Sequence, residues 1–192
     1  MMPMARNAER RTLLADAAVR VLAQQGSRGL THRAIDTEAG VPKGTTSNYF
    51  ASRDEVIDAI LLRISERLQP DPDIHADLAQ RPLGVELFTE YLRDIVHRLT
   101  GDRDAAIALF ELRLEATRRP HVAEALTAWR QAGLQADIEF NEMMGLPGRP
   151  ADITLFHYAL DGLLLDQLTV PVDETANPDE VVSVLAHRLL SD

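Results

Sequence analysis

The chain has 192 residues, 45% of them apolar, which is enough to bury a sizeable core and too many for global disorder. It contains no cysteine, so disulfides and thiolate metal sites are excluded. The net charge of −10 is unevenly spread: residues 1–53 hold eight Lys and Arg against four Asp and Glu, while residues 54–192 hold twelve against twenty-six. Only the first stretch can attract a polyanion.

The opening residues MMPMARNAERR are basic, but no apolar run follows them, so a secretory signal is not expected. In chain order, Leu13, Leu14, Ala17, Ala18, Val21 and Leu22 recur at helical spacing and predict an amphipathic helix over 8–25, stopped near Gly26. Thr31 is suited to cap a second helix, with Ala34, Ile35 and Ala39 facing inward. Pro42 fits the first turn of a third, where its missing N–H is no loss. Ser52 and Glu55 form a capping box for a fourth, whose stripe is Val56, Ile57, Ile60, Leu61, Ile64 and Leu68.

The segment PDPDIHADLAQRP breaks the pattern and reads as a loop or frayed turn. Beyond it, helices are expected at 83–99, 103–118, 121–144, 151–169 and 178–190, separated by Gly- and Pro-containing stops. No alternating strand pattern, phosphate-binding glycine loop or repeat is present. The expected fold is all-α with about nine helices, divided into a small domain at 1–51 and a larger one at 52–192.

Residues 31–50, THRAIDTEAGVPKGTTSNYF, pack hydrogen-bonding side chains around the only lysine. Two helices joined at Ala39-Gly40-Val41 fit a helix-turn-helix: Gly40 tolerates positive φ, and Ala39 and Val41 allow close packing. On the second helix Lys43, Thr45, Ser47 and Asn48 carry groups suited to base edges and phosphates, with Gly44 permitting close backbone approach. Arg33 offers a fork for a guanine edge, while Thr31, His32, Tyr49 and Arg53 are candidates for phosphates.

The run GLTHRAIDTEAGVPKGTTSNYFASRDEVIDAIL resembles the DNA-binding domain of the tetracycline-repressor (TetR) family of bacterial transcriptional regulators. The likeness covers about residues 8–62. It lies in the Thr-started bracing helix, Ala-Gly-Val, Lys-Gly, the pair Tyr49-Phe50 and a basic residue three positions on. It implies that Lys43, Gly44, Thr45, Ser47 and Asn48 lie in or beside the major groove, that Thr31, His32, Tyr49 and Arg53 follow the phosphates, and that Phe50 is buried. Many members carry an aromatic where this chain has Ser47, and Lys where it has Arg53, so a half-site preference does not transfer.

Further on, ADITLFHYALDGLLLDQLTV is apolar over more than one helical face, which predicts burial on two sides. Asp161 and Asp166 interrupt it, arguing against a membrane span. A homodimer interface is expected from Phe156, Leu160, Leu163 and Leu164 with Val181 and Leu185 of the last helix. A two-fold dimer would read a palindromic DNA site. The resemblance implies a small-molecule effector cavity, for which Phe88, Leu92, Val96, Leu109, Leu112, Trp129, Phe140, His157 and Asp161 are the candidates.

The alternatives are a metal-responsive regulator or a helical metal-binding enzyme, drawn from the spacings Asp94/His97, Glu111/Glu115 and His157/Asp161. Neighbouring arginines explain such acids more simply as ion pairs. The chain is therefore read as a cytoplasmic, non-enzymatic DNA-binding repressor, with no cofactor, no resident metal and no membrane partner.

Overall fold

A computed structural model describes residues 3–190 of the chain, with side chains from Asn7 onward. The described residues form ten helices: α1 (Pro3–Gly29), α2 (His32–Glu38), α3 (Thr45–Tyr49), α4 (Arg53–Arg67), α5 (Pro72–Leu78), α6 (Val85–Gly101), α7 (Arg103–Ala116), α8 (Pro120–Met144), α9 (Pro150–Leu168) and α10 (Pro178–Leu190). None of these helices is long and apolar enough to cross a membrane.

Two compact units emerge. The first holds the chain up to Gln69 together with Asp102–Thr127; the second holds Pro70–Gly101 and the chain from Ala128 on. The division expected at 51/52 does not coincide with these units, because α4 packs on α1 and α7 packs on both.

The first unit is organised around α1. Leu14, Ala15, Ala17, Ala18, Val19, Val21 and Leu22 are all buried, an arc too wide for a single neighbour. Helices α2 and α4 take part of it and α7 takes much of the rest. Leu13, expected in the stripe, is instead exposed. Gly26 interrupts the helical dihedrals at φ 64°, ψ −178°, at the stop read from the sequence, and the chain turns once more before Gly29.

Helix α4 begins as expected, with Ser52 Oγ accepting from Glu55 N at 3.2 Å. The return arm of the box lands one residue early, on Ala51 N, which donates to Glu55 Oε2 at 2.9 Å. At its other end Arg67 meets Asp102 with two parallel bonds of 2.7 and 2.5 Å. Asp102 also caps α7 by accepting from Ala105 N.

In the second unit α6 packs against α9 and α10, and those two against each other. Helix α5 occupies the segment expected to be a loop. Asp71 caps it by accepting from Asp73 N at 2.9 Å, and Pro72 opens its first turn. Its apolar content is Ile74, which is exposed, and buried Leu78, too little to produce a periodic signal.

Helix α9 divides its apolar residues between two faces. Ile153, Phe156, Leu160, Leu164 and Leu168 are buried, whereas Leu155, Tyr158 and Leu165 are exposed on the opposite side with Gly162 among them. The expected interface set therefore needs correction. Phe156, at 2% exposure, and Leu160 and Leu164 fill the interior of their own unit, while Leu163, Val181 and Leu185 are half-buried. The most exposed apolar side chain of α9 is Tyr158 at 66%.

Candidate nucleic-acid interface

The turn between α2 and α3 has its chemistry fixed by backbone donors. Gly40 adopts φ 65° after α2, letting Val41 N reach Asp36 O at 3.0 Å and Gly40 N reach Thr37 O at 3.2 Å. This double closure satisfies the last carbonyls of the helix and turns the chain sharply. Pro42 lies before α3 rather than in its first turn: Thr45 N and Thr45 Oγ1 both donate to Pro42 O, at 3.1 and 2.6 Å. Gly44 then caps the helix in the left-handed region at φ 86°. Its role is this backbone conformation, since a Cβ there would meet only Ser47 Oγ, at 4.0 Å.

A five-residue helix has too few internal hydrogen bonds to stand alone. The missing support comes from Asp36 on α2. Its carboxylate accepts from Gly44 N and Thr46 N, each at 2.7 Å, and from Thr46 Oγ1 at 2.6 Å. A negative charge is thus held against the N-terminal donors of α3, where the helix dipole favours it. Burial pushes the Asp36 carboxyl up, but the three bonds from Thr46 and Gly44 outweigh burial and hold it below the ordinary carboxylate range. Neither Asp36 nor Thr46 was a sequence candidate. The pairing of Asp36 with the one threonine of α3 that points inward left no separate signal in the sequence.

With Thr46 buried, α3 presents its other side chains outward. Ser47 and Asn48 are exposed, and Thr45 and Tyr49 half-exposed. Ser47 Oγ donates to Gly44 O at 2.9 Å, so the hydroxyls of Ser47 and Thr45 offer lone pairs outward while their protons stay on the local backbone. The Asn48 amide has no hydrogen bond to another described residue and keeps the donor–acceptor pair that suits an adenine edge. Lys43, the only lysine of the chain, is fully exposed in the preceding turn.

At the start of α2, Thr31 Oγ1 accepts from Ala34 N at 3.1 Å and keeps its proton for an outside acceptor. Thr31 and Arg33 share a shallow concave patch with Gln25, Ala34, Thr37 and Glu38. His32 is half-buried, and its Nε2 is enclosed without a hydrogen-bond partner among the described residues. A second concave patch gathers Asn48 and Tyr49 of α3 with Asn7, Ala8 and Arg11 of α1. Arg11 Nη1 donates to Tyr49 O at 2.8 Å, and the guanidinium lies 4.5 Å from the centre of the Phe50 ring. Asn7 and Arg11 were not among the sequence candidates, because the basic opening segment carries no motif.

Arg53, a phosphate candidate from the sequence, has internal partners in the structure. Its guanidinium donates to Ser27 O and Ser27 Oγ at 2.5 and 2.7 Å and to Leu30 O, and stands 4.0 Å from Glu115 on α7. Burial lowers its proton affinity and nearby Arg119 lowers it further, against the pull of Glu115 and Asp54. Burial raises the Glu115 carboxyl, yet bonds from Ser27 and Arg119 and the charges of Arg119 and Arg53 bring it below the ordinary range. Arg53 is thus an internal anchor joining α4 to the end of α1.

The charges of this unit fall into two classes. Arg20, Arg63 and Arg67 are paired with Glu38, Asp16, Glu66 and Asp102. Arg11, Arg28, Arg33 and Lys43 have no acidic partner among the described residues. Unpaired surface cations hold a counter-ion atmosphere that a polyanion can displace, which is the main electrostatic source of affinity for a duplex.

The other sequence candidates are dispersed. Leu109 and Leu112 are buried in the first unit, and Phe88, Leu92, Val96, Trp129, Phe140, His157 and Asp161 belong to the second. There Phe88 meets Phe156 at 4.9 Å, and Tyr91, Phe140 and His75 form a cluster with Tyr91–Phe140 centres 5.0 Å apart. His157 bonds Asp137 at 2.9 Å and Arg130 bonds Asp161 at 2.8 Å, so both acidic contacts tie α8 to α9. The spacings that suggested a metal do not pair internally. Asp94 is taken by Arg98 and His75, His97 by Asp179, and Glu115 by Arg119. Among the described residues no three of His, Asp and Glu gather into a metal-holding group.

Residues 14–60 match the family model described as bacterial regulatory proteins, tetR family, and residues 83–192 match the tetracyclin repressor-like C-terminal domain. Similar solved structures include the multidrug binding protein EbrR complexed with imidazole, 30% identical over 95% of this chain and 96% of that one, with a TM-score of 0.69. The complex of EbrR with ethidium is 28% identical over 95% and 99% of the two chains, with a TM-score of 0.69. A TetR-family member from Streptomyces coelicolor A3, SCO1917, is 29% identical over 96% and 99%, with a TM-score of 0.71. No curated protein matches the chain by sequence.

Proposed function

Because the chain belongs to the tetR family of bacterial regulatory proteins, and is by that membership a DNA-binding transcriptional regulator, we propose that it is a homodimeric repressor released from a palindromic operator by a small molecule. The observation that carries this reading is the outward set of α3, Lys43, Thr45, Ser47, Asn48 and Tyr49, flanked by cations without acidic partners. Asn48 and Lys43 supply readout of base edges, and Thr31, Arg33 and Tyr49 fix the register on phosphates. Two-fold symmetry would place two such heads on successive half-sites.

The exposed face of α9, Leu155, Tyr158, Gly162 and Leu165, together with Val184 of α10, is the surface we assign to the partner subunit. An apolar stripe of this extent is unfavourable in water and is covered by an isologous contact. The effector is proposed to be an aromatic compound received among the rings of the second unit, Phe88, Tyr91, Phe140 and Phe156, in keeping with the ethidium bound by EbrR. To release DNA it must bind the non-binding conformation more tightly than the binding one. The regulator acts in the cytoplasm, where its operator is.

Selection of bound duplexes from a random library tests the reading. An enriched inverted repeat, with binding lost at least tenfold in Lys43→Ala, is expected. Enrichment of nothing at low salt by the folded protein would overturn it.

A further inference from the structure

The concave patch between α1 and α3 is not needed to explain how α3 is held in place. Helix α3 is fastened at its start by Asp36, and its last residue leads directly into Phe50, whose N–H bonds Thr46 O at 2.9 Å. Yet a second set of groups converges at that end: Asn7, Ala8 and Arg11 from α1 beside Asn48 and Tyr49. Asn7 is exposed and has no hydrogen bond to another described side chain. Arg11 spends one N–H on Tyr49 O, lies over the Phe50 ring, and has no carboxylate partner among the described residues. A guanidinium carries five N–H donors in a fixed plane. Stacking and the single carbonyl bond hold that plane in place without neutralising it, so its remaining donors are prearranged at the rim of the groove.

We propose that this groove seats a sugar–phosphate strand of the operator, with Arg11 supplying the charge and Asn7 a neutral donor. This rests on the DNA-binding reading above and extends it to α1. Capping the end of α3 would account for one donor of Arg11 and for nothing at Asn7. Base readout does not account for the α1 side of the groove, because Asn7, Ala8 and Arg11 belong to a helix other than the α3 proposed to read bases. A strand is the occupant that matches a polar concave patch whose one charge, the Arg11 guanidinium, has no acidic partner among the described residues, and which Asn48 and Tyr49 of α3 help to line. The consequence is a contact whose donors are locked by the same Phe50 and Tyr49 that close α3, so phosphate and base contacts are set in one rigid frame.

The test uses the full-length protein and its selected operator duplex, with three variants. Asn7→Asp places a carboxylate against the phosphate and is expected to weaken binding about five- to tenfold. Arg11→Met keeps an apolar stem over Phe50 and removes the charge; it should lower the slope of log K against log salt by about one. Circular dichroism and thermal melting confirm that each variant is folded. Duplexes carrying a neutral methylphosphonate at single positions should reveal one linkage whose substitution weakens the wild type but has no further effect in Arg11→Met. Inorganic phosphate in the millimolar range should not compete; competition by it, with no sensitive linkage in the duplex, would mean a free-anion site and overturn the assignment. Lys43→Ala separates the two readings. If it loses operator binding while folded Asn7→Asp and Arg11→Met bind as the wild type does, the groove assignment falls and the DNA reading stands. If the wild type binds no duplex, both fall.

Discussion

Asp36 shows how much a single residue decides. Three donors converge on its carboxylate, two of them the backbone N–H groups of Gly44 and Thr46 at the start of α3. Replacing it with Asn keeps the shape but removes the charge and turns one acceptor into a donor facing Gly44 or Thr46. Asp36→Asn is therefore expected to destabilise the protein by about 2 kcal/mol, measured by urea unfolding. The pH dependence follows from the lowered carboxyl. As pH falls, the unfolded chain takes up the proton first, so the stabilisation by Asp36 is complete at neutral pH. It is lost as pH falls below the ordinary carboxylate range and through the folded value. Asp36→Asn should flatten that part of the acid limb, and an unchanged acid limb would contradict the linkage. The outward residues of α3 were legible because turn chemistry and residue type mark them. The inward ones were not, because an acid that serves a buried N–H looks in sequence like any solvated acid.

Between elements, the joint of α1, α4 and α7 is a cluster rather than a stripe. Arg53 reaches the carbonyls after Gly26, and Glu115 holds both Arg53 and Arg119. Arg53→Gln should lower stability by about 2 kcal/mol, because buried carbonyls lose their donor and Glu115 loses a cation. The same variant should leave the salt slope of operator binding as it is, whereas loss of a phosphate contact would reduce the slope by about one. Helix positions were largely readable from periodicity and caps, down to Gly26 and Ser52. Helix α5 was not, although Asp71-Pro72 is a cap followed by a first-turn proline; the loop-like composition of PDPD masked that start signal. The internal partners of Arg53 were not legible for a physical reason. A position three beyond an aromatic pair looks like a phosphate ligand, and only the fold brings Ser27 and Glu115, far away in sequence, to its guanidinium.

At the scale of the whole molecule, the apolar excess of α9 and α10 was legible as a surplus over what one core can absorb. Which face it occupied was not, because a helix apolar nearly all round gives no phase. The fold resolves the phase, sending Phe156, Leu160 and Leu164 inward and Leu155, Tyr158 and Leu165 outward. Tyr158→Glu combined with Leu165→Glu should convert the proposed dimer to a monomer in analytical ultracentrifugation while leaving the melting temperature of the monomeric unit near that of the wild type. Phe156→Ala should do the opposite, costing about 3–5 kcal/mol in folding. A double glutamate variant that still sediments as a dimer would relocate the interface.

The solitary lysine has a chemical corollary. Every other cation in the described chain is an arginine or histidine, so acylating reagents at mildly alkaline pH meet one side-chain amine, Lys43, exposed beside α3. Acetylation there would erase a positive charge at the groove-facing turn and leave the fold untouched, and a dye attached to the same nitrogen would report directly on the occupancy of the DNA face. A molecule with twenty Lys and Arg residues thereby carries a single lysine as a covalent handle, beside the helix proposed to read the duplex.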